Sequence, residues 1–194
     1  MSGPRLVLAS ASPRRAALLR QLGVSFRVHP VAVDEAPLEG EAPAACALRL
    51  ARAKAVAAGS AAPGLPVLGA DTVVAVDGQI LGKPDSAEAA ADMLRRLAGR
   101  WHRVWTAVAL LAGDRLDSRL SSTAVLFADL DEATIARYLA TGEGLDKAGG
   151  YAVQGYAAAF VRALCGSYSG VVGLPLAETA ELLATCGVPI WSGA

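Results

Sequence analysis

The run WHRVWTAVALLA, from Trp101 to Ala112, faces a second run, SSTAVLFADL, from Ser121 to Leu130, and Gly113-Asp114 lies between them. Both runs are long, apolar and rich in β-branched residues, and a Gly-Asp step is a turn signal. Together they read as a large antiparallel hairpin with broadly buried faces. A regular doubly wound parallel sheet, with a helix after every strand, has no place for such a hairpin. The elements around it alternate irregularly. The expectation is therefore an α/β fold in which a mixed sheet is flanked by helices.

Working outward toward the N-terminus, Leu65 to Val76 is a strongly apolar strand, closed by the hairpin dipeptide Asp77-Gly78. Before it, Pro43 to Ala58 is helical, ended by Gly59 and Pro63. Arg5 to Ala9 and Ser25 to His29 read as short strands. Between them a helix starts with Ser12 as its cap and Pro13 in its first position, and stops at Gly23. VAVDEAPLEGE, residues 31–41, is an acidic loop. Ser86 to Leu97 is a helix followed by Gly99, and Asp131 to Ala140 is another, ended by Gly142. The glycine-rich stretch from Gly142 to Gly155 reads as a loop. AAAFVRAL, residues 157–164, reads as a strand, GSYSGVVGLP, residues 166–175, as a loop, and Pro175 to Thr185 as a final helix.

A chain of 194 residues with 54% apolar content supports one substantial core, so a single domain over residues 1–194 is expected. Lysine plus arginine and aspartate plus glutamate number 18 each, so no global field draws the chain to nucleic acid or anionic membrane. Neither partner is expected, and any phosphate site must be local. The apolar stretch before Gly59 is interrupted by Arg49, Arg52 and Lys54, and MSGPRLVLAS lacks the pattern of a signal peptide, so the cytoplasm is the expected compartment. Cys46, Cys165 and Cys186 are widely spaced without CxxC or histidine partners, and read as reduced, mostly buried small hydrophobes. The alanine enrichment reads as compositional bias without functional content.

Arg14 and Arg15 stand in the first turn of a helix, where cations oppose the macrodipole and each costs a few tenths of a kcal/mol, up to about 1. Solvent-facing arginines would be nearly screened there. Ser10 and Ser12 beside the same helix start favour a different reading, a phosphate cradle of small hydroxyls, free N–H groups and guanidinium. Asp71 lies inside the apolar strand VLGADTVVAV, where a carboxylate is costly unless it is paired or stands at a site mouth. It is either tied to a backbone N–H or a lysine, or it serves as a metal ligand or general base. Glu35, on the acidic loop, is either solvated or the second acid of metal-assisted phosphoryl chemistry. Lys83, between a glycine and a proline, is held in a defined place, and Lys54 by itself reads as a surface lysine. In GEGLDKAGGYAVQG, Asp146, Lys147 and Gln154 offer polar heads, and Gln154 has the donor and acceptor needed to read a base edge. There is no GxxxxGK[ST] and no GxGxxG after a strand, which argues against the common ATPase and dinucleotide folds. His29 and His102 read as structural.

SASPRR after a strand, VDE, ARAKA, GADTVV, LGKP, GRWHRVWTAVAL, TGEGLDKAGGYAVQG and GSYSGVVGLPL occur together and in this order. In that combination the chain resembles the Maf family of nucleoside triphosphate pyrophosphatases along nearly its whole length. The resemblance implies a fold of the Maf and inosine-triphosphatase type, an elongated mixed sheet with a cleft between two lobes, in a cytoplasmic homodimer. It makes Asp71 the proton acceptor that activates water, and gives Glu35 and Asp71 the divalent metal, Mg²⁺ or Mn²⁺. Ser10, Arg14, Arg15, Lys54 and Lys83 would hold the triphosphate. Arg14, Thr72 and Gln154 are similar to the branch acting on dTTP and UTP rather than the branch acting on 7-methyl-GTP, and Arg15 falls to the role of plain phosphate clamp. Gly170 and Gly150 depart from the residues frequent there, asparagine and alanine, which bears on loop rigidity. Two other activities are weighed: the same reaction on 7-methyl-GTP or another modified nucleotide, and a nucleotide-binding regulator of cell division, since the family is associated with septum inhibition.

Overall fold

A computed structural model describes residues 3–191 of the chain. Seven strands form one mixed sheet. They are β1 (Leu6–Leu8), β2 (Phe26–Val28), β3 (Val67–Val76), β4 (Gln79–Leu81), β5 (Trp101–Ala112), β6 (Arg115–Phe127) and β7 (Val161–Cys165). Their spatial order is β2-β1-β3-β5-β6-β7, with β4 beside β3. β1 runs parallel to β2 and β3, and all other pairings are antiparallel. The helices are α1 (Pro13–Gln21), α2 (Pro43–Gly59), α3 (Ala87–Leu97), α4 (Glu132–Leu139), α5 (Tyr168–Val172) and α6 (Leu176–Thr185). Among the described residues, no helix is long and apolar enough to cross a membrane.

The hairpin forms as expected, with Ala112 opposite Arg115 across the two-residue turn. Its second strand is displaced from the apolar run: it starts at Arg115 and ends at Phe127, so Ala128 to Leu130 lie outside it. The added half is polar because β7 pairs only with Ala124 to Phe127, which leaves the start of β6 as a sheet edge. Two further expectations change. Tyr156–Phe160 is a 3₁₀ turn, so only the second half of AAAFVRAL is a strand. The Glu143 carboxylate accepts hydrogen bonds from the backbone N–H groups of Tyr156 and Ala157 at 2.8 and 3.2 Å and bends the chain there. The GSYSGVVGLP loop contains the short helix α5, capped by Ser167, whose hydroxyl accepts from the Gly170 N–H. Of the cysteines only Cys46 is buried, Cys165 being exposed and Cys186 partly so, which corrects the expectation of mostly buried thiols.

The alanines of α2 have a packing role that composition hid. Ala47, Ala51 and Ala55 recur every fourth residue, are fully buried, and face β3. At their closest approach Gly69 has no side chain: a Cβ there would fall 2.3 Å from the Ala51 carbonyl oxygen and 2.7 Å from the Ala55 nitrogen. Helix and strand thus touch backbone to backbone. On the opposite face of the sheet two separate cores form. One gathers Leu8, Leu19, Leu68, Leu110 and Leu183 under α1 and α6. The other gathers Val74, Leu94, Leu97, Phe127 and Ile135 under α3 and α4. They correspond to the two expected lobes.

Between the lobes β3 has an open edge. On one side it pairs continuously with β5 from Val67 to Ala75. On the other it meets β1 only at Val67 and Leu68, and β4 only at Val74 to Val76. Among the described residues no strand pairs with 69–73 on that edge, and the cleft opens there.

Candidate active site

Side chains alternate faces along a strand, so Asp71 points toward α2 and Thr72 toward α1 and α5, although both border the same gap. The cleft, of about 710 Å³, is lined by Ser10, Arg14, Arg15, Glu35, Lys54, Asp71, Thr72, Lys83 and Gln154. Residues read as candidates from motifs scattered over 145 positions therefore converge on a single cavity.

On the α2 side the charges form a chain. The Lys54 ammonium donates to Asp71 Oδ1 at 2.6 Å and to Glu35 Oε1 at 2.6 Å, and Lys83 donates to Glu35 Oε2 at 2.9 Å. Lys54 is 7% exposed, like Asp71, so it is no surface lysine. The close approach at Gly69 allows this, because a helix held further off would carry the ammonium out of reach. Asp71 is thus the lysine-tied aspartate and a cleft carboxylate at once. Among the described residues nothing hydrogen-bonds its Oδ2, which leaves that oxygen free to accept from a ligand. Partial burial opposes the charge of Glu35, but hydrogen bonds from Lys54 and Lys83 outweigh it and hold its carboxyl down at about 2.

Glu35 belongs to a loop without regular structure, and that loop is fastened. Arg49, on α2, donates from Nε and Nη2 to the two oxygens of Glu41, each at 2.7 Å. The same Nη2 also donates to the Ala36 carbonyl at 3.0 Å, one residue after Glu35. A forked guanidinium suits this task because it fixes direction as well as distance. Neither Glu41 nor Arg49 stood out as a site residue in the sequence, Glu41 ending an acidic loop and Arg49 interrupting an apolar helix.

On the other side, Ser12 caps α1 by accepting from the Arg15 N–H, and Ser10 Oγ accepts from the Ser12 N–H. The two arginines differ sharply. Arg15 donates from Nε to the Gly173 carbonyl at 2.9 Å, from Nη1 to Ser10 Oγ at 3.3 Å and from Nη2 to Thr72 Oγ1 at 3.4 Å. Burial lowers its pKa, partly offset by the charge of Asp71, and it stays a cation tied into the wall. Arg14 lines the cleft and makes no hydrogen bond to a described side chain, so its guanidinium is the one more available to a ligand.

The glycine-rich loop supplies the far wall with Asp146, Lys147, Tyr151 and Gln154. Gly149 has a φ of 73° and lies so close to β3 that a Cβ would meet Val74 at 2.9 Å, which pins the loop to the sheet. The Lys147 ammonium is held by the Glu143 carbonyl at 2.6 Å, and Gln154 is exposed and unbonded among the described residues. His102 is structural as expected: it is buried, pairs through Nε2 with the Tyr151 hydroxyl at 2.8 Å, and burial pushes its pKa down to about 4. Gly150 keeps a positive φ of 74°, and Gly170 sits inside α5 with both backbone groups bonded, so neither departure loosens its loop.

Glu35 and Asp71 converge on one point, marked by the Lys54 ammonium 2.6 Å from each. Lys54 itself fills that point, so a divalent ion of the magnesium type, which takes one or two protein carboxylates and completes its shell with water and substrate phosphates, would bind beside it, with Asp71 Oδ2 the carboxylate oxygen that has no partner among the described residues. Among the described residues no group of three potential metal ligands stands together, so a site enclosed by protein alone is absent.

A family model described as Maf-like protein matches residues 5–186. The dTTP/UTP pyrophosphatase of Methylobacillus flagellatus is 50% identical over 188 residues, covering 96% of this chain and 94% of its own. Its counterpart in Pectobacterium atrosepticum is 53% identical over 179 residues, covering 92% and 91%. That of Anaeromyxobacter dehalogenans is 52% identical over 192 residues, covering 96% of each. With the fold, the cleft and these matches extending over nearly its whole length, the chain belongs to the Maf family.

Proposed function

We propose that this protein is a nucleoside triphosphate pyrophosphatase that hydrolyses dTTP and UTP to the nucleoside monophosphate and pyrophosphate. The observation that carries the reading is the pair Asp71 and Glu35 joined through one lysine, opposite two arginines at a helix N-terminus, in a single cleft. The names of the three relatives support the substrate.

In this reading Asp71 Oδ2 takes a proton from a water as its oxygen attacks the α-phosphorus. The bond from that phosphorus to the α,β-bridging oxygen breaks, and pyrophosphate leaves. Lys54 holds Asp71 in place through Oδ1, and with Arg14, Arg15, Lys83 and Ser10 it stabilises the triphosphate charge as the bond breaks. Glu35 and Asp71 would hold Mg²⁺ or Mn²⁺, which supplies Lewis-acid neutralisation of the phosphate oxygens when bound. Arg14, Thr72 and Gln154 read the base. The chain works as one domain over residues 1–194, as a homodimer in the cytoplasm.

Hydrolysis in heavy-oxygen water tests the chemistry: label is expected in the nucleoside monophosphate, and label confined to pyrophosphate overturns attack at the α-phosphorus. Side-by-side turnover of dTTP, UTP, CTP and 7-methyl-GTP tests the substrate, and a strong preference for 7-methyl-GTP rejects it.

A further inference from the structure

The glycine-rich stretch that forms the far wall of the cleft is closed on itself by the side chain of Glu143. Gly142, with a φ of 71°, turns the chain back after α4, and the Glu143 N–H donates to Thr141 Oγ1 at 3.2 Å. That turn carries the carboxylate beneath α4, where Oε1 accepts from the Tyr138 hydroxyl at 3.1 Å. Its other donors lie 13 and 14 positions further on: Oε2 accepts from the Tyr156 N–H at 2.8 Å and Oε1 from the Ala157 N–H at 3.2 Å. Gly155 permits the approach, because a Cβ there would overlap Glu143 Oε2. Glu143 does not itself line the cleft.

The first N–H groups of a helical turn have no partner within it, and the 3₁₀ turn Tyr156–Phe160 finds its acceptor in Glu143. The segment before that turn is held at both ends. At one end the Gly149 N–H donates to the Gly82 carbonyl at 3.0 Å, and Gly149 packs on Val74. At the other, Tyr156 and Ala157 are bound to the carboxylate. Between the two the Gly155 N–H donates to the Ala152 carbonyl at 3.0 Å, a tight turn whose exposed corner is Gln154. Because the Gln154 amide is unbonded among the described residues, its place in the cleft is set by its backbone, and so by Gly149 and Glu143. Lys147 differs: it is held by the Glu143 carbonyl, which a change of side chain leaves in place.

We propose that Glu143 is a positioning residue that sets Gln154 against the nucleoside of the bound nucleotide. The inference rests on the nucleotide reading above, in which Gln154 faces the base. Removing the carboxylate leaves two backbone N–H groups without their acceptor and frees the turn that bears Gln154. The groups that grip the triphosphate, Ser10, Arg14, Arg15, Lys54 and Lys83, stand outside this stretch and are untouched. The effect therefore falls on the nucleoside end of the ligand alone.

Calorimetry with the non-hydrolysable α,β-methylene analogue of dTTP and with inorganic tripolyphosphate, which has no nucleoside, separates the two ends. In Glu143→Ala the analogue is expected to bind about tenfold more weakly, with tripolyphosphate within about twofold of wild type. KM for dTTP should rise with the analogue's Kd while kcat stays within about threefold. In the Gln154→Ala background, Glu143→Ala should weaken the analogue no further. Glu143→Gln keeps one acceptor oxygen and sets an amide N–H against a backbone N–H. It is expected to show the same selective loss at about threefold, even if Glu143→Ala does not fold. Faster hydrogen exchange at the Tyr156 and Ala157 amides in either variant reports the opened turn directly. Equal losses on analogue and tripolyphosphate, additive losses with Gln154→Ala, or unchanged analogue affinity overturns the proposal. A selective loss of analogue binding in a protein that does not turn over dTTP sinks the pyrophosphatase reading and keeps this one. Turnover of dTTP with a KM unmoved by both Glu143 variants does the reverse.

Discussion

The Lys54 ammonium stands 2.6 Å from the Asp71 carboxylate, on a helix that reaches the strand only because Gly69 has no side chain. This buried pair, with Glu35 as its third member, is where the protein is most exposed to change.

Lys54→Met removes the only described cation contacting Asp71 and leaves two converging carboxylates, one of them buried. Breaking a buried pair on one side costs about 3–5 kcal/mol. A loss toward the lower end is expected in denaturant unfolding, since Glu35 is half exposed. Added Mn²⁺ should restore part of it by binding the folded state alone. A midpoint that stays unchanged, with and without metal, contradicts this account of the triad.

Asp71→Asn keeps the shape of the side chain and removes the proposed proton acceptor. Turnover of dTTP is expected to fall by at least about 10²-fold while calorimetry still detects nucleotide binding. A rate equal to that of the wild type would make Asp71 purely structural.

Glu35 gives a pH signature of defined sign. Its carboxyl is held down at about 2 against an ordinary 4.5, so the unfolded chain binds the proton first as pH falls. The stability it contributes is full above pH 4.5 and is lost as pH falls toward about 2. The difference in unfolding free energy between wild type and Glu35→Gln should follow that window, reduced in size because the side chain is 44% exposed. A difference that is flat across the window means the two lysines do not hold Glu35 in solution.

Gly69→Ala places a methyl group against the α2 backbone at the Ala51 carbonyl. Overpacking of this kind costs about 1–3 kcal/mol, and it also moves Lys54 away from Asp71. Thermal unfolding and kcat/KM should therefore fall together. Lost stability with untouched kinetics would show that the helix can shift without disturbing the site.

Arg49→Met releases Glu41 and the Ala36 carbonyl together, and so frees the loop bearing Glu35. A drop of about tenfold in kcat/KM is expected, with no further drop when the change is made in Glu35→Gln, because coupled residues fail to add. Additive losses would place the effect of Arg49 somewhere other than Glu35.

Much of this was legible in the chain itself, for reasons of range. Ser12 with Pro13, Asp77-Gly78, Gly113-Asp114 and Asp131 are signals acting over a few residues, and each element they bound is present. The misread places were those where a distant group intervened. Glu143 turned Tyr156 and Ala157 away from a strand, and the absence of a second neighbour made the start of β6 polar. The site residues were legible as a set, each within its own motif. Their partnerships were not, and neither Glu41 nor Arg49 was singled out by a local signal.

By itself the sequence determined the elements, the mixed character of the sheet and the chemical groups available, because periodicity, capping and residue type are local properties. The tertiary structure alone decided that β3 keeps an open edge between two lobes. It also decided that Asp71 is tied to a lysine 17 residues away, and that Arg15 is fixed by a carbonyl 158 residues away. Charge pairing and hydrogen-bond direction depend on which groups the packed backbone brings within about 3 Å, and no spacing along the chain encodes that distance.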